Sequence, residues 1–234
     1  MVRVYSHRGA EPRGRLVRVL QMKKIKGALF LLMIAPCPLL WAQSYTIDPA
    51  SSEAKILVFK KGTFSALAHN HVIFVPGIEG SGILYKAAPE KSTFDISISV
   101  SKMQVDLPEM LAEEGEAFEA EFSAGDIEDI QATMLAEEML DVNNHPTIRI
   151  QSDRITGDWE NLQVKAMVTI RGSTRTLEIL PEVTLEAKGF QSRGQFSVKQ
   201  TLFDIEPVSL FLGTVQVKDE IVIKFNITGI FDDP

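Results

Sequence analysis

The chain is poor in the features that usually identify a protein's function. It has one cysteine in 234 residues, and 8% of its residues are aromatic. The cysteine count excludes a disulfide-stapled miniprotein, and 45% apolar and 24% charged residues exclude a disordered or collagen-like chain. A single long apolar run argues against a polytopic membrane protein. The length is enough for one domain with a sizeable core.

Basic residues are scarce after the first 42 positions. Residues 1–42 hold eight of the 24 Lys and Arg side chains and one of the 31 acidic side chains. Residues 43–234 therefore carry 16 basic and 30 acidic side chains, a net charge of −14. Nucleic acids and anionic membrane surfaces are bound by positively charged patches. We therefore predict no nucleic-acid partner.

Catalytic motifs are also missing. The sequence has no Walker loop, no dinucleotide-binding glycine pattern and no HExxH motif. Residues 189–194 read GxxSxG rather than the GxSxG of a nucleophile elbow, and no helix is predicted after them. Three histidines in residues 43–234 leave few bases for a Ser-His-Asp triad. The sequence predicts a protein that is not an enzyme.

The first 42 residues are predicted to be an N-terminal extension followed by a signal peptide. A basic segment starts at Met22, and the apolar run that follows ends at Trp41. This run is shorter than the about 20 residues that cross a bilayer, and a small residue, Ala42, comes after it. We predict a start at Met22, cleavage near Ala42 and a periplasmic or secreted chain without a transmembrane anchor. A lipoprotein anchored at Cys37 is the alternative, which Pro36 disfavours.

Residues 43–234 alternate between apolar and polar positions almost throughout, which predicts one domain. Phe94, Ile96 and Ile98 point one way, and polar residues lie between them. The same alternation recurs at residues 147–151, 164–170, 183–185, 196–198 and 221–227, with glycine-containing turns between the runs. Alternation of this kind is typical of antiparallel strands with one buried face. Repeated strands without intervening helices predict an all-β barrel or sandwich.

The segment 107–140 departs from this alternation. Its apolar residues recur at helical spacings, and alanine, glutamate and methionine dominate it. Residues 106–141 hold 13 acidic side chains and no basic one. We predict a solvated helical insertion that covers one end of the barrel. The alternative is an interaction module that docks a basic partner, with strongly salt-sensitive binding.

His69 and His71 are the candidate metal ligands. Residues i and i+2 of a strand share a face, so both imidazoles could bind one transition-metal ion, with His145 as a third ligand. The alternative is a structural role, in which the rings hydrogen-bond backbone carbonyls or line a polar mouth.

Five short segments occur in an order that resembles a known family. The segments are Tyr45–Ser52, Ser97–Val100, Met139–Ile148, Val168–Thr174 and Lys218–Ile221. Over about Tyr45 to Thr228, the chain resembles the YceI-like family of secreted lipid-binding proteins. The resemblance implies an eight-stranded antiparallel lipocalin-like barrel, with a helical insertion at about 107–140 in this chain, whose interior holds a polyisoprenoid or similar amphiphile. For most members of the family no intrinsic catalytic activity is established. Residues 66–72 depart from the family's Gly-x-Phe-type element, which keeps a metal or polar-headgroup role open for the two histidines.

The inward positions of the predicted strands are the candidate ligand-binding residues. They are Phe94, Ile96, Ile98, Ile148, Ile150, Val168, Ile170, Phe196, Val198, Ile223 and Phe225. An apolar tail among them would gain about 25 cal/mol for each Å² removed from water. The predicted function is an exported carrier of an apolar or amphiphilic molecule. The alternative is a metal-binding protein or metal-dependent enzyme that uses His69 and His71 on the same barrel.

Overall fold

The computed structural model describes residues 42–62, 69–210 and 214–232, which all belong to one compact unit, residues 39–234. The predicted start at Met22, the apolar run to Trp41 and the alternative lipid anchor at Cys37 lie outside the described residues. None of the helices in the described ranges is long and apolar enough to cross a membrane.

The described residues are mostly strands, with two short helices. The strands are β1 Ala42–Ile47, β2 Glu53–Val58, β3 Lys60–Lys61, β4 His71–Pro76, β5 Glu79–Tyr85, β6 Thr93–Ser99, β7 Gln104–Val105, β8 Thr147–Thr156, β9 Gln163–Ile170, β10 Ser173–Ile179, β11 Glu182–Leu185, β12 Gly189–Lys199, β13 Ser209–Leu210, β14 Val215–Val217 and β15 Glu220–Phe231. The helices are α1 Pro108–Glu114 and α2 Ala124–Leu135, and short 3-10 turns include Val100–Lys102 and Gln200–Phe203. The all-β fold is confirmed, and both helices lie within the predicted insertion.

Strand β15 organises the sheet. Among the described residues, twelve strands form one antiparallel sheet in which β10-β9-β8-β6-β5-β1-β15-β2-β4-β7 are successive neighbours. One edge of β15 pairs with β12 along residues 220–230, and β12 in turn pairs with β11. The opposite edge of β15 is shared, with β2 at residues 222–226 and β1 at residues 229–231. A second, three-stranded sheet has the order β13-β14-β3.

Within the described ranges, hydrogen bonds do not close the large sheet into a ring. Strand β10 pairs with β9, whereas β11, which follows after Leu180 and Pro181, pairs with β12. Proline has no N–H to donate and therefore interrupts a ladder. At Pro181 the chain leaves its pairing with β9 and begins to pair with β12. In the described part of the chain no ladder joins β10 to β12, although their Cα atoms approach within 8 Å. We call this gap, between β10 and residues 194–199 of β12, the seam. The closed eight-stranded barrel stays a prediction.

Alternation along each strand separates an inner from an outer face. In β9, for example, Val164, Ala166 and Val168 are buried, and Lys165 and Met167 between them are exposed. The inner faces of the strands form one continuous hydrophobic cluster, which α2 joins through Met134. The core is therefore the interior enclosed by the large sheet.

Three aromatic rings of the inner face lie against glycines on the neighbouring strand. In register, the pairs are Tyr45 with Gly82, Phe190 with Gly229, and Phe225 with Gly194. A Cβ added to Gly194 would lie 2.7 Å from the Phe225 ring, and at the other two glycines the added atom would lie closer still to its partner's side chain. Because glycine has no side chain, each ring can pack against the neighbouring strand instead of projecting toward the centre of the interior.

The helical insertion covers two different surfaces. Leu111 of α1 and Phe118 pack against Leu57 and Val72, which point away from the interior on β2 and β4. Helix α2 begins at a capping box, in which Ser123 and Asp126 bond each other's backbone N–H groups, and it contributes Met134 to the interior. The prediction that the insertion covers an end of the sheet therefore fits α2, whereas α1 lies on the outer wall.

An ion-pair cluster fixes the C-terminal end of α1 to the outer wall. Lys55 on β2 and Lys224 on β15 are directly opposite each other. The Glu114 carboxylate binds both: Lys55 Nζ lies 2.7 Å from Oε1, and Lys224 Nζ donates to Oε2. The Glu114 side chain is only 4% exposed. Burial raises the pKa of Glu114, but hydrogen bonds from Lys224 and Lys55 and their charges outweigh it and hold the pKa below its ordinary value.

Glu114→Gln is expected to lower the free energy of unfolding by about 1–3 kcal/mol near neutral pH, because two adjacent lysines lose their shared counter-charge. Since folding lowers the pKa of Glu114, its contribution is complete above the ordinary glutamate pKa of about 4.3 and is lost as the pH falls through the folded value. Urea unfolding near neutral pH and near pH 2.5 checks this, with the exposed Glu109→Gln on the same helix as the control. A difference from wild type that is equally large at both pH values would contradict it.

Candidate ligand-binding cavity

A cavity of about 280 Å³ lies inside the large sheet. Its lining comes from the inner faces of strands around the sheet, from β1 to β15, and from α2. All eleven candidate residues named from the sequence line it: Phe94, Ile96, Ile98, Ile148, Ile150, Val168, Ile170, Phe196, Val198, Ile223 and Phe225. The structure thus brings the whole candidate set together around one space. Whether these residues contact a ligand stays a prediction.

Aromatic side chains fill one end of the cavity, which we call the Tyr45 end. Tyr45 and Phe190 meet edge to face there, with ring centroids 4.8 Å apart, and both side chains are buried. The Tyr45 hydroxyl donates a hydrogen bond to the Thr93 carbonyl oxygen at 3.1 Å. Burial raises the pKa of Tyr45 far above its ordinary value, so this hydroxyl stays neutral.

The opposite end, which we call the α2 end, is covered by the helical insertion and by the turn after β12. Met134 of α2, Met103 and Phe203 are buried there and line the cavity. The Gln131 side chain holds α2 in place: its Nε2 donates to the Met103 carbonyl, and its Oε1 accepts from the Val105 N–H. Two methionines and a phenylalanine thus line the cavity at this end.

The lining of the cavity has few polar groups, and the buried ones are hydrogen-bonded to the backbone. Among the described residues, the lining side chains that carry polar atoms are Tyr45, Ser192, Lys199 and Gln200. Gln200 Nε2 donates to the Lys218 carbonyl at 2.9 Å, and the Lys199 residue is exposed. No buried side-chain nitrogen or oxygen in the described ranges lacks a hydrogen-bond partner. The cavity therefore offers a ligand hydrocarbon contacts rather than hydrogen bonds or charge.

Sequence reasoning missed the residues that line the two ends. Tyr45, Phe190, Met103, Met134 and Phe203 were not among the candidates, although all five line the cavity. Met103, Met134 and Phe203 lie outside the alternating runs, in a helix and in the turns next to strands. The sequence feature that could have identified Tyr45 and Phe190 is an aromatic residue on one strand and a glycine on a neighbouring strand.

The two candidate metal ligands lie elsewhere, beside the insertion. The rings of His69 and His71 both contact Phe122, with centroids 5.4 and 5.5 Å away. His71 Nδ1 lies 2.7 Å from the carboxylate of Asp106. His69 precedes β4 and is not part of it, so the argument from a shared strand face does not apply to the pair.

The structure adds no third metal ligand to this pair. His145 lies beside Gly172, with its Nε2 3.8 Å from Asp141. Across residues 42–62, 69–210 and 214–232, no group of three or more His, Cys, Asp and Glu side chains is arranged to hold a metal ion. Positions 66–68 of the segment that departs from the family pattern lie outside the described residues. Metal binding stays an untested prediction that this geometry does not support.

Comparison with known proteins identifies the family. A model of the YceI-like domain matches residues 45–229. The chain belongs to the YceI-like family. YceI-like proteins are known for binding lipids, polyisoprenoids among them. A comparison with curated proteins finds no match.

Solved structures of YceI-like proteins share the fold. BcnA from Burkholderia cenocepacia is 15% identical, with a TM-score of 0.58 over 78% of this chain and 98% of its own. A mutant of the CJ YCEI protein, crystallised with a monobromobimane guest, is 10% identical, with a TM-score of 0.51 over 69% of this chain and 85% of its own. At such low identities the similarity shows the fold alone.

Proposed function

We propose that this YceI-like protein is exported and sequesters an apolar or amphiphilic molecule, a polyisoprenoid or similar lipid, inside its sheet. The observation that carries the proposal is the cavity of about 280 Å³, whose lining is hydrocarbon almost throughout. Burial of an apolar tail there would contribute about 25 cal/mol per Å². The family's known preference for lipids agrees with this chemistry. In this proposal the strands wrap into the family's eight-stranded lipocalin-like barrel, and the seam is where the ring closes.

The proposed role is binding without catalysis, in the periplasm or outside the cell. The predicted signal peptide in residues 1–42 supports export, and residues 43–234 contain no cysteine, so their stability in an oxidising compartment would not depend on disulfides. Tyr45 and Gln200 are engaged in structural hydrogen bonds and Lys199 is exposed, so Ser192 is the other polar side chain of the described lining, and no acid–base pair faces the cavity among the described residues.

Native mass spectrometry of the protein, purified from the exported fraction without detergent, tests the proposal. We expect a lipid-sized extra mass that is released on denaturation and extracted by organic solvent. Ser192→Phe, which fills the cavity from β12, should lose this mass. Ser197→Phe, at an exposed position of the same strand, should keep it. A bare mass for the wild-type protein would rule out a permanently occupied barrel, and a chelator-sensitive metal mass would favour the alternative at His69 and His71.

A further inference from the structure

The seam between β10 and β12 is bounded at both of its ends. Toward the Tyr45 end, the β11–β12 ladder begins with Glu182 opposite Arg193. Toward the α2 end, Asp204 joins the two sides: its Oδ2 accepts a hydrogen bond from Ser173 Oγ at 2.9 Å and lies 3.3 Å from an Arg175 guanidinium nitrogen. Between these boundaries the seam follows about six residues of β10, or about 20 Å of strand.

The register across the seam follows from the neighbouring ladder. Continuing the β11–β12 pairing back along the chain places Ile179 opposite Phe196. A Cβ added to Gly194 would lie 3.6 Å from the Leu180 carbonyl oxygen, which agrees with this register. The two sides are therefore close neighbours, although no ladder joins them in the described part of the chain.

Apolar side chains that line the cavity meet at the seam. The inner-face residues on its two sides all belong to the lining: Leu177 and Ile179 on β10, and Phe196 and Val198 on β12. The residues that alternate with them are polar and exposed. A hydrocarbon tail that crossed the seam would pass directly from solvent to the hydrocarbon surroundings of the interior.

Side chains hold the cover of the α2 end in place. The Arg171 guanidinium donates hydrogen bonds to the carbonyl oxygens of Glu137 and Glu138, which follow α2. It also donates to the carbonyl oxygen of Asp204, which follows the turn after β12. Together with Gln131, Arg171 thus ties both parts of the cover to neighbouring elements. A ligand that entered at this end would have to break these hydrogen bonds.

Opening the sheet elsewhere also costs hydrogen bonds. Separating two laddered strands leaves backbone N–H and C=O groups without partners in apolar surroundings. At the Tyr45 end, the Tyr45 ring is buried against Phe190 and its hydroxyl is bonded to the Thr93 carbonyl. Separating β10 from β12 breaks no ladder. The seam is therefore the part of the wall where an opening is least unfavourable.

We infer that the seam is the portal through which the apolar tail of the ligand enters and leaves the interior. The inference rests on the proposed function, because a portal serves a bound ligand. The tail passes between Ile179 and Phe196. The headgroup stays in water beside the polar residues of the outer face, since a charged group inside would lose its hydration without gaining a partner.

A covalent link across the seam tests this inference. Continuing the same register, Glu178 lies opposite Ser197, and both are exposed on the outer face. Residues 43–234 contain no cysteine, so Glu178→Cys with Ser197→Cys introduces two thiols that a bismaleimide can join. The matched control is Glu178→Cys with Lys165→Cys, a pair of exposed positions that face each other in the β9–β10 ladder. Mass spectrometry verifies each link.

The readout is the exchange of a bound prenyl alcohol. The protein from the exported fraction is loaded with farnesol, or with the longer solanesol, from cyclodextrin. It is then mixed with an excess of the deuterated alcohol and followed by native mass spectrometry. The link across the seam should slow exchange by about tenfold or more and leave the equilibrium affinity unchanged, because a portal limits entry and exit alike. The control link should change neither quantity.

A second pair of variants needs no link. Phe196→Ala removes a half-buried ring from the seam and should speed up release of the alcohol. Phe94→Ala is its matched control, because Phe94 is also half-buried and lines the cavity but belongs to β6, which has laddered neighbours on both sides. Faster release from Phe196→Ala than from Phe94→Ala supports the portal, and equal rates overturn it.

The remaining outcomes separate the inference from the proposed function. Exchange that is as fast with the link across the seam as without it would overturn the portal and leave the carrier function standing. Equal slowing by the two links would overturn it as well, because the effect would then be a general stiffening of the sheet. If the unlinked wild-type protein binds neither alcohol, the carrier function is overturned, together with the inference built on it.

Discussion

Asp106→Ala is expected to lower the free energy of unfolding by about 3–5 kcal/mol, the usual cost of removing one partner of a buried polar pair. Asp106 is only 1% exposed. Its Oδ1 accepts a hydrogen bond from the Val72 N–H at 2.9 Å, and its Oδ2 lies 2.7 Å from His71 Nδ1. Its own N–H donates to the Val72 carbonyl, so one residue ties β4 to the start of the insertion three times. Alanine keeps only this last bond.

The backbone adds to this cost, because Asp106 has a φ of +51°. Aspartate and asparagine tolerate this left-handed conformation better than alanine does. Asp106→Asn is therefore the control: it keeps an acceptor for the Val72 N–H and the backbone preference, and should cost at most about 2 kcal/mol. Urea unfolding followed by circular dichroism measures both variants. Equal losses in the two variants would contradict a stabilising role for the Val72 hydrogen bond and for the left-handed turn.

Gly229→Ala is expected to destabilise the protein by about 1–3 kcal/mol, the usual cost of overpacking a core. Gly229 on β15 is directly opposite Phe190 on β12, and an added Cβ would overlap the Phe190 ring. The ring cannot retreat freely, since Tyr45 packs edge to face against it. The methyl group therefore pushes the ring into the cavity, and the volume available to a ligand should fall as well.

A second substitution distinguishes this clash from a general sensitivity to alanine. Phe190→Leu in the Gly229→Ala background should recover part of the lost stability, and a double-mutant cycle measures the coupling. Gly125→Ala is the matched control, because Gly125 is exposed in α2 and the nearest atom to its added Cβ is 3.8 Å away. That substitution should stabilise the protein by about 0.5–1 kcal/mol. Additive losses in the cycle would contradict the proposed contact.

The inner face of the sheet could be predicted from the sequence because strand geometry is local. Successive side chains of a strand point to opposite faces, so Phe94, Ile96 and Ile98 had to share one. The same rule predicted the inward positions of β8, β9, β12 and β15, and all eleven candidates line the cavity. Since the outer face is solvated, the apolar and polar positions alternate clearly enough to be recognised.

The features that depend on distant parts of the chain could not be predicted in this way. Asp106 was counted among the acidic side chains of a solvated segment, and that prediction was wrong for Asp106 and Asp141, which are buried. The partner of the Asp106 carboxylate is His71, which is 35 positions away. The seam likewise depends on which strands pair across Pro181, and local alternation carries no information on pairing. The insertion was located correctly, but its division between the outer wall and one end depends on tertiary packing.

The seam has a mechanical consequence for the cavity. In a fully laddered ring, the number of strands and their stagger fix the circumference, and any change in bore breaks backbone hydrogen bonds. In the described part of this protein no ladder joins β10 to β12, so a change in their separation breaks no backbone hydrogen bond between them. The resistance to such motion comes from the close packing of side chains in the interior. At the seam, the width of the interior is thus set by packing and not by backbone hydrogen bonds.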